Sequence, residues 1–125
     1  MSGKILLDTN AIIYALNDGL KLPKARYAIS VITEMELFSY PKLTKDEETN
    51  ITNLLKNFEI FALSDEIKKM TIQIRKSHGL KLPDGIICAT TLVHGMTLIS
   101  NDKQLAKVTD LKMLSLEEFS SKYNL

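Results

Sequence analysis

Short runs of branched and aromatic apolar residues recur along the chain and predict the strands of a sheet. The first run, at residues 5–7, is Ile-Leu-Leu without a polar residue, which is typical of a central parallel strand buried on both faces. The same criterion predicts further strands at residues 27–32, 58–63, 97–100 and 112–114. These runs are short, so we expect a short sheet.

Apolar residues at helical spacing separate these runs, so helices are predicted between the strands. One helix begins at Thr44 and Glu47, which have the spacing of a capping box. Another begins at Pro83 and is apolar almost all round, so it should lie deep in the fold. The remaining helices are predicted at residues 11–16 and 33–40, after Ser64 as far as His78-Gly79, and after Ser115, with a short helix or turn at residues 101–106.

This alternation of strands and helices predicts the fold class. Strand–helix units of this kind form a parallel sheet with helices on both of its faces. The sequence of 125 residues has the length of one domain and contains no linker, repeat or low-complexity segment. We therefore expect an α/β fold, a three-layer α/β/α sandwich around a short, mainly parallel sheet, with residues 1–125 forming a single domain.

Composition and charge exclude some functions and leave others open. The 16 basic and 15 acidic residues give a net charge of +1, so binding to nucleic acid would need a local patch or a bound metal. The single cysteine, Cys88, cannot form an internal disulfide and suits a reducing compartment. Apolar runs are far shorter than the roughly 20 residues that cross a bilayer, and the first residues do not resemble a signal peptide. We expect a cytoplasmic protein without a membrane segment.

Four acidic residues from distant parts of the chain fall where predicted strands end or predicted helices begin. Asp8 ends the first strand, and Glu36 lies on the helix after the second strand, three residues after Thr33. Asp84 opens the apolar helix, and Asp102 follows the fourth strand. Ligands bind beyond the carboxyl ends of the strands in parallel sheets, so these side chains can share one crevice.

Each acid also has a purely structural interpretation. Asp8, Asp84 and Asp102 stand at positions where aspartate commonly caps a helix. Glu36 can be a solvated side chain on its helix. The joint occurrence of all four acids nevertheless favours a shared site over four unrelated carboxylates.

A shared site constrains what else it must contain. Two unit charges about 4 Å apart repel by roughly 4 kcal/mol at an effective dielectric constant of 20, so four carboxylates need protons or cations beside them. Hard oxygen ligands favour Mg²⁺ or Mn²⁺. A metal held by carboxylates beside an anionic substrate suits phosphodiester hydrolysis, in which it activates water and stabilises the leaving oxygen.

Polar and basic residues near the acids have predicted supporting roles. The side chains that can hydrogen-bond the carboxylates or orient a water are Asn10, Thr33, Ser100 and Asn101. The lysines that can contact a substrate phosphate are Lys76, Lys81 and Lys103. His78 and His94 stand at helix ends and Cys88 on an apolar helix, so we interpret these three residues as structural.

The segments that carry the acids resemble the PIN domain family, and most closely its VapC-type toxins of bacterial and archaeal toxin–antitoxin pairs. The segments are LLDTNAIIYAL at residues 6–16, ISVITEMEL at 29–37, LPDGIICATTLVHG at 82–95 and LISND at 98–102. They match in order and spacing over most of the chain, and the ordered set is more specific than any one segment.

The resemblance implies roles for these residues. Asp8, Glu36 and Asp84 match the family's three principal metal-binding acids, and Asp102 matches a fourth that varies more. Ser100 falls where these proteins have a small hydroxyl residue. The implied activity is that of a Mg²⁺- or Mn²⁺-dependent endoribonuclease with the four acids as catalytic, metal-binding residues. A small antitoxin partner and a homodimer are implied as well.

Two other functions remain open from the residues alone. A haloacid-dehalogenase-like phosphatase also begins with a buried strand that ends in aspartate, but it uses an acid two residues later, where this chain has Asn10. A catalytically silent PIN-like scaffold would bind RNA or a partner without the chemistry. The four acids argue against a scaffold, because like charges held together for no purpose destabilise a fold.

Overall fold

Five parallel strands form one sheet at the centre of the structure, a computed structural model that describes residues 3–18 and 22–123. In chain order the strands are β1 (Ile5–Leu7), β2 (Tyr27–Ser30), β3 (Phe58–Phe61), β4 (Thr97–Ile99) and β5 (Met113–Leu114). Their order across the sheet is β3-β2-β1-β4-β5, and each neighbouring pair is parallel. The predicted α/β class is confirmed.

Helices connect the strands and cover both faces of the sheet. In chain order they are α1 (Thr9–Asn17), α2 (Val31–Phe38), α3 (Lys45–Leu55), α4 (Asp65–His78), α5 (Leu82–Val93) and α6 (Leu116–Tyr123), with a 3₁₀ helix at Lys103–Lys107. Within the described residues, none of these helices has the length and apolar character needed to span a bilayer. The order of elements agrees with the prediction.

The side chains of β1 alternate between two apolar clusters, one on each face of the sheet. Leu6 packs on one face with buried residues of α4 and α5, such as Ile74 and Ile87. Ile5 and Leu7 pack on the other face with buried residues of α1, α3 and α6. Because successive side chains of a strand point to opposite faces, an unbroken apolar run serves both clusters. This arrangement is the predicted three-layer sandwich.

The second strand is shorter than predicted. β2 ends at Ser30 and α2 begins at Val31, whereas the apolar run favoured a strand as far as residue 32. The Ser30 hydroxyl accepts a hydrogen bond from the backbone N–H of Ile32 (3.1 Å) and thereby caps the helix. The β-branched residues after Ser30 therefore form a helical turn despite their preference for strands. β3 likewise ends at Phe61, two residues before its predicted end.

The helices α4 and α5 approach each other closely near the loop that joins them. Gly79 ends α4 with a left-handed backbone (φ +66°), as expected from the sequence. At Gly85, an added Cβ would lie 3.1 Å from Cγ of Arg75 and 3.3 Å from Cγ2 of Thr71. Glycine therefore permits a close crossing of the two helices directly after Asp84.

Candidate active site

Three of the four predicted acids, Asp8, Asp84 and Asp102, lie where elements begin at one edge of the sheet, and Glu36 lies on the second turn of its helix. Asp8 follows β1 and caps α1, and Asp102 follows β4 and caps the 3₁₀ helix. Glu36 lies on α2, which follows β2 directly, and Asp84 lies in the first turn of α5. Because β1 has β2 and β4 as its neighbours, the fold brings acids from distant parts of the sequence to one edge.

Asp8 is nearly buried, with 5% of its surface exposed. Its Oδ1 accepts a hydrogen bond from the backbone N–H of Ala11 (2.8 Å), and the Ser100 hydroxyl donates a second bond. Burial raises the pKa of the Asp8 carboxyl, these hydrogen bonds lower it, and the charges of Asp102 and Glu36 raise it again, so that the pKa lies above its ordinary value. The surroundings of Asp8 therefore disfavour its charged form.

Ser100 links two of the acids. It lies directly after β4 and is 1% exposed. Its hydroxyl donates to Asp8, and its Oγ accepts a hydrogen bond from the backbone N–H of Asp102 (3.0 Å). The Asp102 carboxylate in turn accepts from the backbone N–H of Gln104 (3.0 Å). One buried hydroxyl thus connects the Asp8 carboxylate to the loop that carries Asp102.

Thr9, a residue that the sequence patterns do not predict at the site, orients Glu36. The Thr9 hydroxyl donates to Oε1 of Glu36 (2.6 Å) and lies 3.0 Å from Oγ1 of Thr33, which is fully buried. A hydroxyl has one proton to donate, so the carboxylate is its main acceptor. The available signals were the positions of Thr9 directly after Asp8 and of Thr33 one helical turn before Glu36.

Asp84 does not cap its helix. The residue before α5 is Lys81, and no side chain makes a capping hydrogen bond there. Burial raises the pKa of the Asp84 carboxyl, the charges of Asp102, Glu36 and Asp8 raise it further, and the Lys81 ammonium lowers it. The capping interpretation is therefore correct for Asp8 and Asp102, which also lie at the site, and wrong for Asp84.

The oxygen donors of this edge are of the type that Mg²⁺ and Mn²⁺ prefer, because carboxylates and hydroxyls are hard ligands. Two ion pairs in the described part of the chain join Lys4 with Glu59 and Lys68 with Asp65, and neither includes an acid of the site. Within residues 3–18 and 22–123, no three His, Cys, Asp or Glu side chains are grouped closely enough, as they stand, to hold a metal ion. The donor chemistry fits a divalent metal, and the side chains are not drawn together into a ligand set.

The two predicted asparagines do not contact the acids in the way expected. Asn101 accepts a hydrogen bond on Oδ1 from the backbone N–H of Leu116 (2.9 Å), so it holds the start of α6. Asn10 is exposed on α1, and the contact with Glu36 comes from its neighbour Thr9. Their sequence positions were right for the edge, but the roles differ.

The three predicted phosphate-contacting lysines lie in different places. Lys81 precedes α5 beside Asp84, and Lys103 opens the 3₁₀ helix after Asp102. Lys76 is exposed on α4 and lines a surface hollow together with Gly79. Two of the three lysines therefore neighbour an acid of the site.

The negative potential of the site extends into the core at Cys88. This residue lies one turn after Asp84 on α5 and is fully buried. Burial, together with the charges of Asp84, Asp102 and Asp8, raises the pKa of its thiol to about 12. The thiol therefore stays protonated at neutral pH, and Cys88 is a packing residue, as predicted.

Comparison with known families decides the fold family. The model of the PIN domain family matches residues 5–111, a range that includes all four acids. The chain belongs to the PIN domain family. Because PIN domains are nucleases, membership supports a hydrolytic nuclease activity and favours it over the phosphatase alternative.

Solved structures support the same assignment. This PIN domain is similar to a chain of VapBC2 from Rickettsia felis bound to a promoter DNA fragment, with 20% identity, a TM-score of 0.78, and coverage of 90% of this chain and 98% of that chain. It is also similar to a chain of a toxin–antitoxin complex from Klebsiella pneumoniae, with 29% identity, a TM-score of 0.71, and coverage of 88% and 95%. PAE2754 from Pyrobaculum aerophilum has 18% identity, a TM-score of 0.78, and coverage of 99% and 97%.

The predicted resemblance to VapC-type PIN domains is confirmed at the level of the fold. At 20% identity and below, the likeness shows the fold alone. No curated protein sequence matches the chain.

Proposed function

We propose that this PIN domain is a Mg²⁺- or Mn²⁺-dependent endoribonuclease and the toxin of a toxin–antitoxin pair. The observation that carries the proposal is the mutual effect of the acids: the pKa values of Asp8 and Asp84 are raised by burial and then by the other carboxylates. Four like charges at one edge favour the binding of protons or cations. Metal-dependent hydrolysis of a phosphodiester bond needs a group of carboxylates of this kind to hold the metal.

The acids Asp8, Glu36, Asp84 and Asp102 would hold the metal. A metal bound there would supply an activated water and would stabilise the leaving oxygen of the phosphodiester. Repulsion among the carboxylates opposes their close approach, so we expect a bound cation to draw these side chains together. The site would then be formed by ligand binding on elements that the fold has already placed side by side.

Hydroxyl groups of the chain would keep two of these ligands oriented. Ser100 donates to Asp8, and Thr9 donates to Glu36 (2.6 Å). A carboxylate that accepts such a bond on one oxygen presents the other oxygen in a defined direction. Less side-chain freedom is then lost when the ligand binds.

Lysines beside the acids would contact the substrate. Lys81 lowers the pKa of Asp84 through its charge, so it lies within electrostatic reach of the site. Lys103 directly follows Asp102. Contacts between such ammonium groups and the phosphates that flank the cleaved bond add affinity without sequence preference. Lys76 is a third proposed contact at the exposed end of α4.

We also propose an antitoxin partner and a homodimer. The similar chain from Klebsiella pneumoniae comes from a toxin–antitoxin complex. A groove of about 200 Å³ between α1, α2 and α3, with apolar walls that include Ile13, Leu37 and Ile51, is suited to an apolar segment of that partner. Light scattering after size exclusion, on the chain alone and with its antitoxin, measures both assemblies.

The test of the proposed activity is cleavage of single-stranded RNA by the purified chain with Mg²⁺ or Mn²⁺. We expect EDTA to stop cleavage and an excess of Mn²⁺ to restore it. Cleavage that persists in EDTA would contradict the metal dependence. A chain that binds RNA but cleaves none with either metal would support the scaffold alternative, and a phosphoryl group trapped on Asp8 would support the phosphatase alternative.

A further inference from the structure

The exposed face of α1 leads away from Asp8 and presents an aromatic ring. Ala11, Ile12 and Ala15 form the buried face of this helix. Asn10 and Tyr14 lie on the opposite face, four residues apart and hence one above the other. Tyr14 keeps 46% of its surface exposed although it is a large, partly apolar side chain. At 1.5 Å per residue, its backbone lies about 9 Å along the helix from that of Asp8.

Tyr14 forms part of the wall of an open cavity with a volume of about 750 Å³. Its lining also includes Ser100, Lys103 and residues of the N-terminal turn of α6. Because the Ser100 Oγ accepts a hydrogen bond from the backbone N–H of Asp102 (3.0 Å), this cavity adjoins the loop that carries Asp102. Its volume is within the range of about 300–1,000 Å³ that small-molecule sites occupy, and Tyr14 is the aromatic side chain among its described lining residues.

The charges of the cavity disfavour a second phosphate site. Lys103 is its basic residue, whereas α6 contributes Glu117 and Glu118. The whole chain has a net charge of only +1, so long-range attraction to RNA is weak. Stacking on an aromatic face needs no net charge and accepts every base, because each base has a π face.

We propose that Tyr14 is a stacking platform for a nucleobase of single-stranded RNA, next to the phosphodiester bond that lies at the acids. The base would enter the cavity beside Ser100, and the exposed Asn10 amide would face the same strand. This inference rests on the proposed nuclease function and adds the surface that recruits the substrate to a weakly charged chain. Tyr14 acts here as a substrate-positioning residue.

The first test is kinetic. Tyr14→Ala should raise KM for RNA by about 5- to 100-fold, the effect of losing one base–aromatic stack, while kcat changes little, because stacking is uniform binding. Tyr14→Phe keeps the ring and should retain the wild-type KM. The matched control is Tyr40→Ala, because Tyr40 is 49% exposed but lies outside this cavity. Equal KM values for Tyr14→Ala and Tyr40→Ala would overturn the proposal.

The second test reads binding without cleavage. The chain has no tryptophan, so Tyr14→Trp introduces a single indole fluorophore. In an Asp84→Asn background, a mixed-sequence single-stranded RNA of about ten nucleotides should quench this fluorescence by stacking. The control is Tyr40→Trp in the same background, which should not respond. Equal responses of the two indoles, or none from either, would contradict the stacking role.

The two tests separate this inference from the nuclease proposal. Metal-dependent RNA cleavage by the wild type, with Tyr14 and Tyr40 variants that behave alike, would overturn the stacking platform alone. Selective quenching of the Tyr14→Trp indole by RNA, in a wild type that cleaves nothing, would support the platform and contradict the nuclease.

Discussion

Carboxylates that accept similar hydrogen bonds behave in opposite ways in the capping boxes and at the acidic edge. Glu47 on α3 accepts from the backbone N–H of Thr44 (3.0 Å), and Glu118 on α6 accepts from that of Ser115 (2.9 Å). Both carboxylates face water, and the backbone and hydroxyl bonds lower the pKa of each. Asp8 also accepts a backbone and a hydroxyl bond, yet its pKa is raised.

Burial and neighbouring negative charges explain why the pKa of Asp8 is raised while the pKa values of Glu47 and Glu118 are lowered. Water solvates the capping-box carboxylates, so their hydrogen bonds outweigh the opposing effect of desolvation and stabilise the charged form. At the acidic edge, burial and neighbouring carboxylates outweigh the same kind of bond. A cap therefore completes a helix by itself, whereas the acidic edge favours the binding of protons or cations. This contrast can be tested by matched substitutions in the two regions.

The largest expected difference is in catalysis. Asp84→Asn should lower kcat/KM for RNA by more than about 100-fold, because the loss of a residue that merely orients a metal ligand already costs about 10- to 100-fold. The folded state should be as stable as the wild type or more so in EDTA, since the amide removes a charge that Asp102 and Glu36 oppose. RNA cleavage and thermal unfolding measure the two effects.

The matched control is Glu47→Gln in the capping box of α3. This variant should keep full activity and lose stability, because its hydrogen bonds favour the ionised side chain. Asp8→Asn should follow Asp84→Asn in activity while it keeps the helix cap, since asparagine caps as well as aspartate. Wild-type cleavage rates in both aspartate variants would show that the acidic edge is not catalytic.

The second difference is in the response to metal. At a free Mn²⁺ concentration 100 times Kd, the wild type should gain about 2.7 kcal/mol of unfolding free energy, or on the order of 10 °C in Tm. Glu47→Gln should gain as much, whereas Asp84→Asn should gain far less. Differential scanning calorimetry with and without Mn²⁺ measures the shifts. A wild type that gains no more than Asp84→Asn would favour the scaffold alternative.

The sequence was sufficient for the order of elements and for the edge at which the acids lie. The unbroken run of β1 and the capping box at Thr44 are local patterns, and the structure confirms both. The boundary at Ser30 was missed because β-branched residues follow it, and only the capping bond to Ile32 reveals the helix. Local pattern therefore predicts which element exists better than where it ends.

Individual contacts at the site depend on tertiary geometry and were less predictable. Thr9 bonds Glu36 across 27 positions of the sequence, and no local pattern marks that pairing. Asn101 lies between Ser100 and Asp102, but its side chain holds the start of α6 instead of a carboxylate. Neighbouring residues can point to different partners, so proximity in sequence does not assign a hydrogen bond.

Substitution of Ser100 or Ser115 should have different effects on activity, although the hydroxyl of each serine accepts a hydrogen bond from a backbone N–H. Ser100→Ala removes the hydroxyl that bonds Asp8 and should lower kcat/KM by about 10- to 100-fold, the usual effect of losing a partner that orients a ligand. Ser115→Ala removes a helix cap and should cost about 1 kcal/mol of stability without a change in kcat. Kinetics and urea unfolding of both variants test the pair. Equal losses of activity would contradict an orienting role for Ser100.

The smallest effect is in the pH dependence of stability, where the two regions should act with opposite sign. The pKa values of Asp8 and Asp84 are raised from 3.8, so the folded state holds protons that the unfolded chain has lost, and stability falls as pH rises from about 3.8 through the folded pKa. The pKa of Glu47 is lowered from 4.5, so its contribution is complete above 4.5 and is lost as pH falls through the folded pKa.

Urea unfolding in EDTA across this pH range separates the two contributions. Asp84→Asn should become more stable relative to the wild type as pH rises, because it lacks the carboxyl whose ionisation the folded state opposes. Glu47→Gln should lose stability relative to the wild type over the same rise, because it lacks the carboxylate that the capping box favours. If the unfolding free energies of Asp84→Asn and the wild type change with pH in parallel, the folded state does not disfavour the ionised form of Asp84. That result would remove the electrostatic argument for a cation at the acidic edge.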